Sequence, residues 1–383
     1  MQPAEIFSSI SQPGWNGTIA HRRRIPELDG LRGIAILLVL AWHIVPAALV
    51  NAPHEVVRVV NFAIRFSWSG VDLFFVLSGF LLGGMLMDNR HSPHYFATFY
   101  ARRAYRILPA YLVLVAAFFM LRPFAGEAQH TPLFARPMPL ASYLTFTQNF
   151  AMAHRGFLGA QWLGPTWSLS VEEQFYLLLP LLIRFVPTRK LRFVLPLLIL
   201  AAPVTRLVFY FTEPNWTVSG YVLMLARADA LMLGVLAACC IRSGRALALL
   251  KRWPSAPVAL VSATGLALLV MALRRENFSK PGMVIYGFSL LALFYTGLLW
   301  LSVTADESSV LRVVLRSRVL VRCGLLAYGL YLFHTPLVGM SAWMIDSPAL
   351  AQMTGLALTF FIAALSWKYF EKPFVKKGHS HLY

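Results

Sequence analysis

Long apolar runs separated by short charged segments dominate the pattern along the chain. A helix needs about 20 mainly apolar residues to cross the hydrocarbon core of a membrane. About ten runs approach that length, although one contains Pro109 and the next begins with Glu172 and Glu173. The pattern therefore predicts an all-α integral membrane protein, a bundle of about ten transmembrane helices. The predicted spans are residues 33–51, 67–87, 104–121, 168–186, 193–212, 219–241, 254–273, 281–303, 320–342 and 350–367.

The basic residues between these runs predict the orientation in the membrane. Ten spans put both termini on one side, and cytoplasmic loops carry an excess of Lys and Arg. The side with the termini carries 24 of the 34 Lys and Arg residues, the opposite side carries 8, and Arg206 and Arg227 lie within spans. Both termini are therefore predicted to be cytoplasmic.

One transmembrane domain is predicted over residues 1–383, since no internal repeat or Gly/Ser linker divides the chain. Residues 1–27 form a predicted cytoplasmic segment without a signal-peptide apolar region, and residues 374–383 form a cytoplasmic tail. The longest connection, residues 122–167, is predicted to be extracytoplasmic. Its aromatic residues favour an ordered cover over a disordered loop.

Composition agrees with a membrane protein and excludes other classes. The chain is 58% hydrophobic and 13% charged, with a mean hydropathy of +0.63. Its net charge of +18 is spread in small groups rather than in one basic block, so we expect membrane lipids and no nucleic acid as partners. The 3 cysteines form neither a disulfide framework nor a zinc pattern, and no other metal-ligand spacing is present.

The first predicted span contains a histidine, His43. Arg32 lies eleven residues before it and Asp29 three residues earlier still, so all three share one helix face. At 1.5 Å per residue, His43 lies about 16 Å beyond Arg32, near mid-membrane. An ionisable side chain at that depth is costly, and it therefore predicts a functional site.

A second histidine, His334, lies about 18 Å from the cytoplasmic end of its predicted span, so the two histidines could share a site. His334 could instead form a structural hydrogen bond within the bundle. Further charges are predicted in the outer half of the membrane. They are Asp72, Glu172, Glu173, Arg206, Arg227 and Asp229.

Arg227 and Asp229 are two residues apart and do not share a helix face, so each is expected to find its partner on another helix. Glu172, Glu173 and Asp72 could instead be carboxylates that stabilise helix N-termini. On the cytoplasmic side, Arg103 and Arg106 share a face of the third predicted span. Their guanidiniums suit phosphate oxygens, although simple anchoring at the membrane surface is an equal alternative.

Seven stretches, in order along the chain, together resemble the acyltransferase 3 family of multispan membrane acyltransferases. They are residues 28–33 (LDGLRG) with His43, 70–80 (GVDLFFVLSGF), 99–109 (FYARRAYRILP), 167–176 (WSLSVEEQFY), 227–231 (RADAL), 328–334 (YGLYLFH) and 369–373 (YFEKP). The resemblance implies an enzyme of the cytoplasmic (inner) membrane that takes an acyl group, often acetyl, from cytoplasmic acyl-CoA. It implies a hydroxyl of an extracytoplasmic or membrane-associated glycan or glycolipid as the acceptor. Some relatives carry a further C-terminal esterase-like domain, which this chain is expected to lack.

The resemblance also implies residue roles. His43 and Glu172 correspond to catalytic positions, while Arg32, Arg103 and Arg106 correspond to acyl-CoA-binding positions. His43 would act as general base on the acceptor hydroxyl or would carry the acyl group, and both roles stay open. Glu172 would orient or charge-balance His43. Supporting roles fall to Asp29, Asp72, Arg227, Asp229 and His334, with Arg227 a candidate for stabilising the oxyanion.

Three other functions remain alternatives. One is acylation of a small secondary metabolite such as a macrolide, which some members of the family perform. Another is a polysaccharide or lipid transporter without acyl transfer, since transporters also carry buried charges at mid-membrane. The last is a non-catalytic membrane scaffold, which would leave the buried histidines unexplained.

Overall fold

The computed structural model describes residues 25–49, 51–243 and 252–383, and within these ranges the regular structure is entirely helical. The α-helices, in chain order, are α1 (Pro26–Ala48), α2 (His54–Ala63), α3 (Gly70–Asp88), α4 (Tyr95–Leu121), α5 (Leu140–Leu144), α6 (Gln148–Arg155), α7 (Trp167–Phe185), α8 (Thr188–Thr212), α9 (Trp216–Val222), α10 (Ala228–Arg242), α11 (Ala256–Leu273), α12 (Phe288–Thr304), α13 (Val310–Leu315), α14 (Arg318–Met344), α15 (Pro348–Leu365) and α16 (Lys372–His379).

Within the described ranges, 8 helical segments are long and apolar enough to cross a membrane. A ninth span results if α9 and the helical segment that ends with α10, which meet at a 70° bend, cross together. The prediction of an all-helical multispan protein is confirmed, whereas the count of about ten is not. The remaining predicted span, residues 168–186, forms helix α7, which carries Glu172, Glu173 and Arg184 and is therefore less apolar. The cytoplasmic position of the termini stays a prediction, and residues 1–24 of the predicted N-terminal segment lie outside the described residues.

Helix α1 packs against α3, α14 and α15. Its contact with α14 is a backbone-to-backbone approach. A Cβ atom on Gly33 would lie 2.1 Å from the Leu320 carbonyl oxygen, and one on Gly324 would lie 1.9 Å from that of Asp29. Small residues allow such close helix packing inside membranes, where apolar burial cannot drive helices together. The glycines therefore bring together the two helices that carry His43 and His334.

An ion-pair cluster holds the beginning of α1. Glu27 is 1% exposed and accepts hydrogen bonds from Arg312 Nε at 2.7 Å and from Arg316 Nε at 2.8 Å. Both arginines come from α13 and the residue that follows it, just before α14 begins. This cluster, which the sequence pattern did not indicate, ties the entry of α1 to the entry of α14.

The connection of residues 122–167 is built of short helices, including α5 and α6, and its side chains pack. The Tyr111 hydroxyl donates to the Tyr143 carbonyl oxygen at 2.9 Å, and Gln148 Nε2 donates to the Thr166 carbonyl oxygen at 3.0 Å. Burial raises the pKa of Tyr143 to about 12, so its phenol stays neutral at physiological pH. The expected ordered cover is present, and its extracytoplasmic side stays a prediction.

The predicted tail, residues 374–383, packs along α4. Arg102 donates to the His381 carbonyl oxygen through Nε at 3.0 Å and through Nη2 at 2.7 Å. The rings of Tyr105 and His381 stack with centroids 5.8 Å apart. The tail therefore covers one side of the stretch that contains Arg103 and Arg106.

Candidate active site

His43 on α1 and His334 on α14 face each other. Their ring centroids are 4.7 Å apart, with the planes inclined by 66°. His334 is 0% exposed. The equal depths inferred from the two spans are thus matched by direct contact between the two side chains.

Backbone hydrogen bonds set the protonation of both rings. The Nδ1 atom of His43 lies 2.9 Å from the Val39 carbonyl oxygen, and Nδ1 of His334 lies 2.7 Å from the Tyr331 carbonyl oxygen. Because a carbonyl oxygen only accepts, each Nδ1 atom must carry a proton. In a neutral imidazole this leaves the lone pair on Nε2, which is the atom able to act as base or nucleophile.

The arginines predicted to bind acyl-CoA lie near one another. Arg32 Nη1 lies 3.4 Å from Asp29 Oδ1, as their spacing of three residues predicted. The Arg32 guanidinium is within electrostatic range of both Arg103 and Arg106. Arg103 Nε is buried without a hydrogen-bond partner in the described structure. Three guanidiniums in mutual range form a site that favours an anion.

Glu172 has a different setting from the one expected. It lies in the second turn of α7, past the N-terminal turn, so the alternative of a helix-capping carboxylate does not describe it. Its carboxylate accepts a hydrogen bond from Ser78 Oγ at 2.7 Å and another from the Tyr176 hydroxyl. Arg103 and Arg106 act on it electrostatically. Glu172 is therefore in range of the arginine cluster, and its hydrogen bonds are not to His43.

The sequence pattern did not single out Ser78 and Tyr176 as partners of Glu172. Both lie within the stretches that resemble the family, at residues 70–80 and 167–176. Each is an uncharged polar residue in a predicted span, where hydroxyl groups commonly serve ordinary helix packing. The proximity of α3 to α7 indicates the role of Ser78, whereas Tyr176 lies on α7 itself, four residues after Glu172 and on the same helix face.

Four of the six charges predicted for the outer half form two pairs between helices, whereas Glu172 and Glu173 lie in electrostatic range of Arg103, which was predicted near the cytoplasmic side. Arg227 Nη2 donates to Asp72 Oδ1 on α3, and Arg206 Nη2 on α8 donates to Asp229 Oδ2 at 2.9 Å. This is the pairing between helices that the spacing of Arg227 and Asp229 predicted. Asp72 also lies in the first turn of α3, so the helix-terminus alternative describes it as well.

Arg227 has further contacts that bear on its predicted role. Its guanidinium carbon lies 3.9 Å from the centroid of the Phe288 ring, a cation–π contact. Its Nε and Nη1 atoms are buried without hydrogen-bond partners among the described residues. Unpaired N–H donors of this kind suit the stabilisation of an oxyanion. The contacts with Asp72 and Phe288 hold the guanidinium in place, so an oxyanion would have to come to Arg227.

Comparison with known proteins agrees with the family resemblance. The chain is 28% identical to the putative peptidoglycan O-acetyltransferase YrhL of Bacillus subtilis, over 94% of this chain and 56% of that protein. It is 26% identical to the peptidoglycan O-acetyltransferase OatA of Listeria monocytogenes, over 93% of this chain and 57% of that protein. It is 24% identical to the O-acetyltransferase OatA of Staphylococcus aureus, over 93% of this chain and 58% of that protein.

The chain thus spans a little over half the length of these relatives, from 56% to 58%. No solved structure matches it. A family model described as an acyltransferase domain matches residues 25–368. Because this match covers nearly all of the described residues, the chain belongs to the acyltransferase 3 family.

Proposed function

We propose that the protein is an integral-membrane O-acyltransferase. It moves an acyl group, acetyl in the first instance, from cytoplasmic acyl-CoA to a hydroxyl of an extracytoplasmic or membrane-associated glycan or glycolipid. The observation that supports this most is the arrangement along α1, which carries Arg32 in range of two further arginines and His43 against a second histidine. An anion site and a half-buried imidazole base thus lie on one helix.

The arginine cluster supports an anionic donor. CoA carries phosphate groups, and guanidiniums bind phosphate oxygens through paired N–H donors. Along α1, Arg32 and His43 are separated by about 16 Å. In this proposal the phosphates lie on Arg32, Arg103 and Arg106, and the long thin arm of CoA brings the thioester to His43. Glu172 then acts from beside the arginines and keeps Arg103 and Arg106 in position for the donor.

The relatives support a glycan as the acceptor. Two of them are named as peptidoglycan O-acetyltransferases, one of them putatively. A sugar hydroxyl is a weak nucleophile, and a base in hydrogen-bond reach is needed to remove its proton as the ester forms. The Nε2 lone pairs of the two histidines supply such a base. We place the enzyme in the inner membrane with the acceptor approaching from the outer side.

The decisive experiment compares purified wild type with His43→Ala in acetyl transfer from labelled acetyl-CoA. General-base or nucleophilic catalysis contributes at least about 100-fold in rate, so we expect a loss of that size or more. Glycan isolated from cells serves as the acceptor, and labelled ester on that glycan is the readout. Full activity of His43→Ala would contradict the proposed mechanism.

A transporter is the second candidate, because one observation favours it. The 70° break between α9 and the segment that ends with α10 lies next to the buried Arg227–Asp72 pair. Broken helices beside buried charges are typical of substrate sites in secondary transporters. Flux of a glycan precursor into proteoliposomes without consumption of acetyl-CoA would favour the transporter over the transferase.

A further inference from the structure

The proposed function needs one imidazole, yet the structure contains two in contact. His334 is 0% exposed, and its Nε2 atom has no hydrogen-bond partner in the described part of the chain. Its Nδ1 proton is already donated to the Tyr331 carbonyl oxygen at 2.7 Å. A buried acceptor without a donor is unfavourable in a resting core, so its retention calls for a role.

The contact between the rings limits the charge they can hold. Two imidazolium ions with centroids 4.7 Å apart in a buried site would repel strongly. Both Nδ1 protons go to backbone carbonyl oxygens rather than to carboxylates, so these bonds supply no negative charge. The pair therefore accommodates one positive charge at a time.

We propose that the two histidines divide the reaction between them. His43 carries the acyl group, and His334 is the general base that activates the acceptor hydroxyl. This inference rests on the proposed function and assigns His334 as a second catalytic residue. It also decides between the two roles that the sequence leaves open for His43.

In the first step, the Nε2 lone pair of His43 attacks the thioester carbonyl carbon. The C–N bond forms, the C–S bond breaks, and CoA departs as a thiolate. The acyl-His43 ring is then cationic and His334 is neutral. In the second step, Nε2 of His334 takes the proton of the acceptor hydroxyl while its oxygen attacks the acyl carbon.

The C–N bond then breaks, and its electron pair returns to Nε2 of His43. The positive charge has moved to His334, which releases its proton to water. The departed CoA thiolate takes up a proton from water, so thioester and alcohol become ester and thiol with all atoms balanced. Before and after the second step only one ring is cationic. In the tetrahedral intermediate the oxyanion offsets the second positive charge, so the net charge of the site does not exceed +1.

A one-step transfer explains less of the structure. Direct attack of the acceptor on acyl-CoA needs a single base, which would leave Nε2 of His334 without a function. It also requires the donor from the cytoplasm and the acceptor from the outer side to be bound at once. An acyl-enzyme lets CoA leave before the acceptor reacts, and this gives the Nε2 lone pair of each histidine a step.

The test separates the two steps. Purified protein is incubated with unlabelled acetyl-CoA and radiolabelled CoA, without acceptor, and exchange of label into acetyl-CoA measures the first step. The ester-linked acetate that mild alkali releases from surface glycans of complemented cells measures the whole reaction. The main variant is His334→Asn, whose amide can still donate to the Tyr331 carbonyl oxygen but lacks Nε2.

The matched control is Thr335→Val at the next residue of α14. Thr335 is buried and donates to the Trp162 carbonyl oxygen at 3.2 Å, so this variant perturbs packing and hydrogen bonding at the same place. His334→Gln, which is closer to histidine in length, serves if His334→Asn does not yield folded protein by size-exclusion profile and thermal unfolding in detergent.

We expect His334→Asn to keep CoA exchange within about threefold and to lose glycan acetylation by about 100-fold or more, a typical general-base contribution. His43→Ala should lose both, and Thr335→Val should keep both. Glycan acetylation by His334→Asn at the wild-type rate would overturn the proposal. A loss of CoA exchange in His334→Asn as large as its loss of acetylation would also overturn it. So would a loss of acetylation in Thr335→Val as large as that in His334→Asn. Wild type that acetylates without exchange would overturn the acyl-His43 step alone, whereas wild type that does neither would overturn the proposed function itself.

Discussion

Three arginines within five residues of α4 differ in their surroundings. Arg102 donates to the backbone of the tail and lies 4.9 Å from the Tyr383 ring centroid. Arg103 and Arg106 are in electrostatic range of Arg32 and of Glu172. Charge alone cannot separate the three, since all are guanidiniums of full positive charge. Their partners predict that Arg102 anchors the tail and that the other two bind the donor.

At the scale of the residue, we therefore expect Arg103→Gln with Arg106→Gln to weaken acetyl-CoA binding. A hydrogen bond to a charged group contributes about 1.5–3 kcal/mol, so each loss corresponds to roughly 10-fold to 100-fold in Kd. Binding is measured by isothermal titration on detergent-solubilised protein. Arg102→Gln is the control and should bind normally. Equal affinity of the double variant and wild type would assign Arg103 and Arg106 to membrane anchoring.

At the scale of the element, the contact of α1 with α14 positions both histidines. The two helices begin beside each other through the Glu27 ion pairs and approach closely at Gly33 and Gly324. Neither feature is an apolar contact, which fits a membrane interior, where lipid and side chains are equally apolar. A displacement of one helix would therefore change the distance between His43 and His334.

Gly33→Ala tests this packing. The added methyl group would lie 2.1 Å from the Leu320 carbonyl oxygen, so the helices must separate, at a typical overpacking cost of about 1–3 kcal/mol in the free energy of unfolding. We expect a lower midpoint in thermal unfolding and slower acetyl transfer. Gly265→Ala on α11 is the control, since its methyl group would meet Phe294 at an ordinary 3.4 Å. Equal stability of the two variants would contradict a close helix contact at Gly33.

At the scale of the whole molecule, the proposed reaction depends on orientation, because donor and acceptor come from opposite sides. The distribution of Lys and Arg predicts that residues 122–167 lie outside and that the segment between α12 and α14 lies inside. Each contains an exposed residue suited to labelling, Glu127 in the first and Ser308 in the second.

Cysteine labelling checks this orientation. In a background with Cys239, Cys240 and Cys323 replaced by alanine, we expect Glu127→Cys to react with a membrane-impermeant maleimide in intact cells. We expect Ser308→Cys to react only after the membrane is permeabilised. The reverse pattern would invert the topology and would place the arginine cluster on the outer side, away from cytoplasmic CoA.

Much of the fold follows from local pattern. Apolar run length predicted where the membrane helices lie, because a span must satisfy its backbone hydrogen bonds internally over a fixed thickness. The spacing of Asp29, Arg32 and His43 predicted a shared face, and equal depth predicted the neighbour His334. The count of spans differed at α7, because the charged residues that this helix carries make it less apolar than a membrane span.

The amino-acid sequence by itself determined the class of the protein, its family and the identity of the buried charges, since these depend on residue type and spacing along one helix. Only the tertiary structure decided which groups meet. It directed Glu172 to Ser78 rather than to His43, Arg102 to the tail, and Arg227 to Asp72. It also fixed the tautomers of the paired histidines, because contacts between helices depend on their rotation and separation, which no spacing within a single helix can specify.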